Sequence, residues 1–379
     1  MIPYGKQSID QEDIDSIVEV LKSDFLTTGP KVQEFETKFA SYVGSKYAVA
    51  VSNGTAALHL ACLAAGLSPE DKLITTPMTF AASANCALYC GSNPVFADIE
   101  VETGCIDPNE IRKKITTYTK ILIPVHYGGH PCNLEEVGSI ARQNKLIVIE
   151  DASHALGSRY KDTKIGDCTY SEMTIFSFHP VKNITTGEGG MITTNSKELY
   201  EKLIRLRTHG ITKDESTYVN KSDGPWYHEM QVLGYNYRIT DIQCALGKAQ
   251  LNKIEDFIER RQEIARKYRE AFEEIPEIEC LIDYDINKNA YHLFVIKTKN
   301  RDERLKLFTY LKENDIFCQV HYIPVYWHPY YQKIGYKRGL CPKAESFYEH
   351  IISIPIYPLL TEDEQDFVIK KIGEFYESR

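Results

Sequence analysis

Residues 176–190 read FSFHPVKNITTGEGG, and this stretch decides how the rest of the chain is interpreted. The apolar segment Thr174–Phe178 predicts a strand, and Gly190–Thr194 predicts the following strand. The loop between them carries one lysine, Lys182, among apolar and small residues, and then a glycine-rich turn. Most lysines are solvated surface charges. A lysine in apolar surroundings has a lowered pKa and can instead serve as a Schiff-base nucleophile.

Further strands and helices alternate on the N-terminal side of this loop. Short apolar segments predict strands at Tyr47–Ser52, Leu73–Thr76, Pro94–Asp98, Ile121–Val125 and Leu146–Asp151. Apolar residues at helical spacing predict helices at residues 10–22 (Ile14, Ile17, Val18 and Leu21), at Ala56–Ala65 and at Leu134–Asn144. This alternation indicates an α/β fold with a mostly parallel central sheet covered on both faces.

The C-terminal part of the chain has a different pattern. Residues 208–233 are polar and predict a long loop, which in a compact domain is usually functional or mobile. After it come a helix or helix pair at Thr240–Ile275, a strand at Ala290–Thr298, a helix at Arg301–Asn314, a strand at Cys318–Tyr322 and a helix at Thr361–Tyr376. We therefore predict a large domain of residues 1–247 and a smaller α+β domain of residues 248–379.

Composition excludes several classes of function. The 379 residues carry a net charge of −9, which argues against general nucleic-acid binding. The ten cysteines contain no CxxC pair, which favours reduced thiols in a cytoplasmic protein and no metal site. No apolar run reaches the ~20 residues of a membrane span. Neither the GxGxxG motif of nicotinamide enzymes nor a P-loop is present.

Four further short segments contain candidates for a ligand site, and each has an ordinary structural alternative. Asp151 ends a predicted strand, where it can face a ligand crevice or cap a helix. The Gly54-Thr55 turn begins a helix and suits a phosphate, although such turns are common. Phe80 is either a core residue or a wall for a stacked ring. Asn236 and Arg238 either cap and solvate the chain or reach an anion.

The order of these signals resembles the DegT/DnrJ/EryC1/StrS family of sugar aminotransferases. The resemblance runs from Tyr4 to the C-terminal helix and is strongest in EDASHALG (Glu150–Gly157), FSFHPVKNITTGEGG and GYNYRITDIQCALG (Gly234–Gly247). It implies a pyridoxal-phosphate-dependent transferase of fold type I, the aspartate aminotransferase type. It also implies a homodimer with active sites at the subunit interface.

The resemblance assigns roles to individual residues. Lys182 would carry pyridoxal phosphate as a Schiff base and move protons, and Asp151 would pair with the pyridine nitrogen. The other implied cofactor-binding residues are Gly54, Thr55 and Ser177 at the phosphate, Phe80 stacked on the ring, His154 near the ring, and Asn236 from the neighbouring subunit. The implied substrate-binding residues are Tyr4, Lys6, Thr27, Arg238, His321 and Tyr322, although His321 and Tyr322 also suit ordinary strand positions.

Within the family, the stretches SHALGS (Ser153–Ser158) and QVHYIPVY (Gln319–Tyr326) resemble the transaminases of pseudaminic acid synthesis. These enzymes aminate C4 of UDP-2-acetamido-2,6-dideoxy-β-L-arabino-hexos-4-ulose, and L-glutamate is the donor expected by analogy. Two alternatives stay open. One is an aminotransferase for another keto nucleotide sugar, of the bacillosamine, perosamine or dTDP-3-keto type. The other is a non-catalytic regulator with the same fold.

Overall fold

The computed structural model describes residues 1–284 and 286–377, and within them the apolar segments of the first half form a seven-stranded sheet. The strands, including those of three smaller sheets, are β1 (Tyr47–Val51), β2 (Lys72–Thr75), β3 (Asn93–Phe96), β4 (Thr119–Ile123), β5 (Ile147–Asp151), β6 (Arg159–Tyr160), β7 (Thr163–Lys164), β8 (Met173–Ser177), β9 (Gly190–Thr194), β10 (Ile211–Thr212), β11 (Glu229–Met230), β12 (Glu279–Cys280), β13 (Asn287–Lys288), β14 (Phe294–Lys297) and β15 (Ile351–Ile354).

The helices connect these strands and cover the sheets. They are α1 (Gln11–Leu21), α2 (Pro30–Val43), α3 (Gly54–Ala64), α4 (Ala82–Tyr89), α5 (Pro108–Lys114), α6 (Leu134–Asn144), α7 (Lys197–Arg207), α8 (Asp241–Asn252), α9 (Ile254–Phe272), α10 (Arg301–Glu313), α11 (Pro329–Lys333), α12 (Pro342–His350) and α13 (Glu362–Glu377). No helix in the described part of the chain is long and apolar enough to cross a membrane.

The central sheet has the strand order β1-β9-β8-β5-β4-β2-β3. Strand β9 runs antiparallel to both of its neighbours, and the remaining pairs are parallel. The predicted mostly parallel sheet is therefore confirmed. Because β5 and β8 are parallel neighbours, Asp151 and Ser177 at their carboxyl ends lie at the same edge, where ligands of such sheets bind.

Successive residues of the strands supply two different cores, one on each face of the sheet. Phe176 packs in the core that includes Phe35 and Phe39, whereas its neighbour Ile175 packs in the core that includes helix α3. Side chains alternate between the two faces of a strand, so both faces of β8 are buried. This explains why the strands read as continuous apolar runs rather than alternating ones.

Helix α1 forms as predicted, but its apolar stripe does not face the protein. Ile14, Val18 and Leu21 are exposed, while Asp13 and Val20 are buried. Asp13 accepts hydrogen bonds from Lys253 at 2.7 Å and from Gln250 at 2.7 Å. The helix is thus attached through a buried carboxylate and a paired ammonium, a contact that helical periodicity does not reveal.

The predicted loop 208–233 contains only short regular pieces. Strands β10 and β11 pair as a small ladder, and the Glu229 carboxylate accepts the backbone N–H groups of Val219 and Asn220, both at 2.7 Å. Large apolar side chains on this loop, including Val219, Trp226 and Leu233, are exposed.

The C-terminal region contains the predicted helix pair, α8 and α9, and an antiparallel sheet of β12, β14 and β15. The predicted strand Cys318–Tyr322 is wrong. Only Gln319 forms a bridge there, to Ser353, and Ile351–Ile354 takes the ladder position beside β14 instead. The predicted boundary between residues 247 and 248 lies inside α8, and the division into two domains stays a prediction.

Hydrogen bonds join the first part of the chain to the C-terminal region at several places. The Val325 N–H donates to the Pro77 carbonyl at 3.1 Å, and the Leu293 N–H donates to the Gly128 carbonyl at 3.1 Å. The Ile356 N–H donates to the carbonyl of Tyr4 at 3.0 Å. These bonds hold the C-terminal segments against the same edge of the central sheet.

Truncation of Phe39 tests the aromatic cluster that supports the lysine loop. Its ring lies 5.0 Å from the ring of Phe176 and 5.7 Å from that of Phe178, and it is fully buried. We expect Phe39→Ala to lower the free energy of unfolding by about 3–5 kcal/mol, measured by urea titration. Phe367→Ala, at a side chain that is 39% exposed, is the control and should change it by less than about 1 kcal/mol. Equal effects would contradict this assignment.

Candidate active site

Hydrogen bonds within the loop and to the segment after β5 fix the loop between β8 and β9. The Phe178 N–H donates to the Gly189 carbonyl at 2.9 Å, so the two strands stay paired beyond their ends. Inside the loop, the Lys182 N–H donates to the His179 carbonyl at 2.9 Å. The side-chain amide of Asn183 donates to the carbonyl of Leu156, in the segment after β5, at 2.8 Å. The lysine therefore projects from an anchored turn.

The amine of Lys182 is tuned by its surroundings. Burial lowers the pKa of Lys182 to about 8, and the Asp151 carboxylate acts in the opposite direction. At neutral pH a useful fraction of the amine is therefore unprotonated. An unprotonated amine held in a protein interior is a nucleophile and a base.

The Asp151 carboxylate accepts hydrogen bonds from two donors. Ser83 Oγ donates to Oδ2 at 2.6 Å, and the Ser153 N–H donates to Oδ1 at 3.1 Å. Thr79 Oγ1 lies 2.7 Å from Ser83 Oγ and supports it from behind. Residues 152–158 form turns, so Asp151 is not capping a helix there. A buried carboxylate arranged in this way can pair with a cationic ring nitrogen.

A phosphate cradle is present at the start of α3. Asn53 caps this helix by accepting the Ala56 N–H at 2.8 Å, which leaves the N–H groups of Gly54 and Thr55 at the positive end of an 11-residue helix. A Cβ on Gly54 would lie 2.9 Å from Cβ of Ser177. Only glycine therefore lets the helix start approach the Ser177 hydroxyl. These groups fit a phosphate.

Phe80 is 63% exposed, so it is not a core residue. Its ring lies 6.4 Å from the ring of Tyr322, edge to face. The hydroxyl oxygen of Tyr322 in turn lies 3.0 Å from Nε2 of His154. The predicted aromatic wall and the C-terminal tyrosine thus line one space, although stacking of a ring on Phe80 stays a prediction.

The hydrogen bonds of His154 fix its tautomer. Burial holds the pKa of His154 well below its usual range, and the positive charge of Lys182 acts in the same direction. Nδ1 accepts the Gly128 N–H at 3.3 Å, so the neutral ring carries its proton on Nε2 and donates it to the Tyr322 hydroxyl. The Tyr322 O–H proton is then available for another acceptor.

The N-terminal segment joins the site beside His321. The rings of Tyr4 and His321 are 5.3 Å apart, and Nδ1 of His321 lies 2.9 Å from the Ser353 hydroxyl. Burial lowers the pKa of His321 to about 3, with Lys182 contributing, so this imidazole is neutral. A Cβ on Gly5 would meet Val181 at 3.7 Å, which places this segment next to the lysine loop. Lys6 is exposed.

Three predicted residues lie together in another part of the chain. Thr27 forms a bridge with Thr240, and Asn236 forms one with Thr208. Arg238 lines a cavity of about 280 Å³ that also includes Thr28 and Arg207. Their roles toward cofactor or substrate therefore stay predictions, as do the roles of the other site residues.

Sequence reasoning missed Ser83, Thr79 and His292. His292 is buried, and its ring lies 4.3 Å from that of His154. None of the three lies in a motif, so only the folded chain reveals them. Within residues 1–284 and 286–377, no group of three His, Cys, Asp or Glu side chains is arranged to hold a metal ion.

The fold and this site together define a class of protein, the pyridoxal-phosphate-dependent transferases of fold type I. The sheet, the partly buried lysine with its carboxylate, and the phosphate cradle at a helix start are the parts that the cofactor requires. When bound, pyridoxal phosphate supplies an electron sink for the carbon that loses its proton.

Comparison with known proteins gives the family. The family model for the DegT/DnrJ/EryC1/StrS aminotransferase family matches residues 7–373, and the chain belongs to this family. It is 42% identical over 378 residues to the spore coat polysaccharide biosynthesis protein SpsC of Bacillus subtilis, covering 98% of this chain and 96% of SpsC.

Two named transaminases are also similar. The chain is 39% identical over 373 residues to the UDP-4-amino-4,6-dideoxy-N-acetyl-beta-L-altrosamine transaminase of Campylobacter jejuni, covering 97% and 96% of the two chains. The structure of Helicobacter pylori PseC, an aminotransferase involved in the biosynthesis of pseudoaminic acid, matches with a TM-score of 0.92 and 32% identity over 100% of both chains. The chain is thus a sugar aminotransferase that uses pyridoxal phosphate.

Replacement of Lys182 tests the covalent anchor. We expect Lys182→Ala to retain no pyridoxal phosphate after borohydride reduction, as read by intact mass, whereas Lys197→Ala, at a side chain that is 76% exposed, should retain it. Because the pKa of Lys182 is lowered to about 8, its amine becomes mostly neutral above that pH. The rate at which the apo-protein captures the cofactor should rise with pH through about 8 and then level off. A rate without this rise would contradict the assignment.

Removal of the Ser83 hydroxyl tests the support of Asp151. A hydrogen bond to a charged group contributes about 1.5–3 kcal/mol, so we expect Ser83→Ala to bind pyridoxal phosphate roughly 10- to 100-fold more weakly. Fluorescence titration of the apo-protein measures this. Ser92→Ala is the matched control, because it removes a buried hydroxyl that donates to the Asp71 carbonyl. Equal affinity of Ser83→Ala and wild type would show that the bond is not needed.

Proposed function

We propose that this enzyme aminates C4 of UDP-2-acetamido-2,6-dideoxy-β-L-arabino-hexos-4-ulose and forms UDP-4-amino-4,6-dideoxy-N-acetyl-β-L-altrosamine, in pseudaminic acid biosynthesis. L-Glutamate donates the amine and leaves as 2-oxoglutarate, while the sugar carbonyl becomes the amine. The observation that carries the proposal is the Lys182 amine with its pKa of about 8, held near Asp151 at the edge of a sugar-aminotransferase fold. The similarity to the Campylobacter transaminase and to PseC supports this sugar.

Each residue of the site has a separate role in the proposed reaction. Lys182 Nζ removes the proton from Cα of glutamate in the first half-reaction and delivers a proton to C4 of the sugar in the second. A base positioned in this way contributes about 10²–10⁴ in rate. Asp151 keeps the cofactor ring nitrogen protonated, and the hydrogen bond from Ser83 positions the Asp151 carboxylate. Tyr322, oriented by His154, donates its hydroxyl proton to an oxygen of the bound ligand.

The histidines of the site carry no charge during this chemistry. Burial keeps the pKa of His154 and of His292 well below the usual range, and Lys182 lowers both further. A cationic imidazole beside Lys182 would lower the pKa of the amine still more. Because the imidazole rings are neutral, the Asp151 carboxylate is the charge that balances the Lys182 ammonium.

We also propose that the enzyme is a homodimer in the cytoplasm. Asn236 and Arg238 adjoin the loop 208–233, whose exposed Trp226 and Leu233 are suited to burial against a second copy. In such a dimer Asn236 would reach the phosphate of the partner's cofactor. The same loop would form part of the entrance for the sugar nucleotide.

A second candidate is transamination of another keto nucleotide sugar, such as one of the bacillosamine, perosamine or dTDP-3-keto type. The observation that favours it is the 42% identity to SpsC, which exceeds the 39% identity to the altrosamine transaminase. A regulator without catalytic activity is disfavoured, because Lys182 and Asp151 are both present, with Asp151 buried and Lys182 partly buried.

Amination of a panel of keto nucleotide sugars tests the proposal. Purified enzyme with pyridoxal phosphate and L-glutamate should convert the L-arabino-hexos-4-ulose in preference to the other 4-keto and 3-keto sugars, with the products identified by mass and NMR. Lys182→Ala is the control and should convert none. Amination of another sugar alone would replace this proposal with the second candidate, and turnover of no sugar would contradict both.

A further inference from the structure

A network of buried polar side chains lies on the opposite face of β5 from Asp151. Glu150 directly precedes Asp151, and successive residues of a strand point to opposite faces of the sheet. Glu150 is 2% exposed and His126 is fully buried, and Nε2 of His126 lies 2.8 Å from Oε2 of Glu150. Burying polar groups is unfavourable unless they are hydrogen-bonded to one another. Two partnered polar side chains are therefore buried directly behind Asp151.

Hydrogen bonds fix the direction of the contact between His126 and Glu150. Nδ1 of His126 accepts the Cys132 N–H at 3.0 Å, so the imidazole proton is on Nε2 and is donated to Glu150. The other carboxylate oxygen of Glu150 accepts the hydroxyl groups of Ser171 at 2.5 Å and Thr174 at 3.3 Å. Because all three of these partners are donors, they define the position of the Glu150 carboxylate from three sides.

The same histidine holds the backbone of Asp151. The His126 N–H donates to the Asp151 carbonyl at 3.1 Å, and the Asp151 N–H donates to the Pro124 carbonyl at 2.9 Å. The ladder between β4 and β5 pairs the first two residues of β5, and Pro124 has no N–H with which to continue it. The carboxyl end of β5 therefore depends on His126, which binds it through its backbone and, at Glu150, through its side chain.

We propose that His126 and Glu150 are positioning residues for transamination, which fix the carboxyl end of β5 and thereby direct the Asp151 carboxylate at the ring nitrogen of the cofactor. Both act through Asp151, from the opposite face of the strand, so the inference rests on the proposed role of Asp151. A hydrogen bond between charged groups is short and directional, so a small displacement of the carboxylate weakens it. Functional groups need to be held within about 0.5 Å of the productive geometry, and supporting hydrogen bonds provide this.

Two substitutions of His126 separate its two side-chain hydrogen bonds. His126→Asn places an oxygen near the position of Nδ1 and keeps an acceptor for Cys132, but it removes the donor to Glu150. His126→Gln places an N–H near the position of Nε2 and keeps that donor. In the single-turnover half-reaction with L-glutamate, we expect His126→Asn to lower the rate at saturation about 10- to 100-fold. The half-saturating glutamate concentration should stay unchanged, and His126→Gln should restore most of the rate.

The ring nitrogen of the cofactor provides a readout that a loss of stability alone would not change. With ¹⁵N-labelled pyridoxal phosphate bound, NMR of the holoenzyme should show a protonated ring nitrogen in wild type and in His126→Gln. In His126→Asn the signal should move toward that of the unprotonated nitrogen. Ser171→Ala removes a hydroxyl donor to Glu150 at a partly buried position, so it should fold even where His126→Asn does not. We expect a smaller change of the signal in the same direction.

Gln250→Ala is the matched control, because Gln250 is also buried and donates to a carboxylate, that of Asp13, at 2.7 Å. It should lower the free energy of unfolding, measured by urea titration, but leave the half-reaction and the ring-nitrogen signal as in wild type. If Gln250→Ala and His126→Asn lower the rate equally, or if His126→Asn leaves the nitrogen signal unchanged, the positioning role is overturned.

Asp151→Asn separates failure of this inference from failure of the role of Asp151. If Asp151→Asn abolishes the signal of the protonated nitrogen while His126→Asn and Ser171→Ala do not alter it, the positioning inference is wrong and the role of Asp151 stands. If Asp151→Asn itself keeps the wild-type signal, the proposed role of Asp151 fails, and the inference fails with it.

Discussion

The structure depends on one electrostatic constraint, an amine that must be partly neutral inside the protein while one carboxylate stays charged nearby. Desolvation lowers the pKa of Lys182, and the Asp151 carboxylate limits that decrease. The two groups need opposite surroundings, and the structure supplies them. Asp151 receives two hydrogen-bond donors, whereas the imidazoles around Lys182 are neutral. Because charge interactions are stronger away from water, small changes in these contacts alter the interaction between Lys182 and Asp151.

Sheet topology brings these groups together. Strands β5 and β8 are parallel neighbours, so Asp151 and the residues leading to Lys182 leave the sheet at the same edge. Strand β9 then returns antiparallel beside β1, and a Cβ on Gly190 would lie 2.7 Å from the carbonyl carbon of Asn53. The lysine loop and the phosphate cradle are thus joined through backbone contact, and glycine is required where they meet.

The sequence predicts the parts of this arrangement that depend on local pattern. Apolar runs located the seven strands of the central sheet, and the setting of Lys182 among small residues identified it as unusual. The sequence does not predict contacts between segments that lie far apart along the chain. Burial of Asp13 rather than Ile14 depends on Lys253. The sheet contains Ile351–Ile354 rather than the predicted Cys318–Tyr322 because Ile351–Ile354 pairs with β14. Similarly, the pairing of His154 with Tyr322 joins residues 168 positions apart.

The hydrogen bonds that tie Val325 to Pro77, Leu293 to Gly128 and Ile356 to Tyr4 have a consequence for how substrates are exchanged. A clamshell rotation, in which the C-terminal segments swing away from the sheet, would break several buried backbone bonds at once. These hydrogen bonds therefore oppose such a rotation. If the C-terminal segments stay in place, an amino donor and a larger sugar substrate enter one after the other through an opening that only surface side chains and loops can widen.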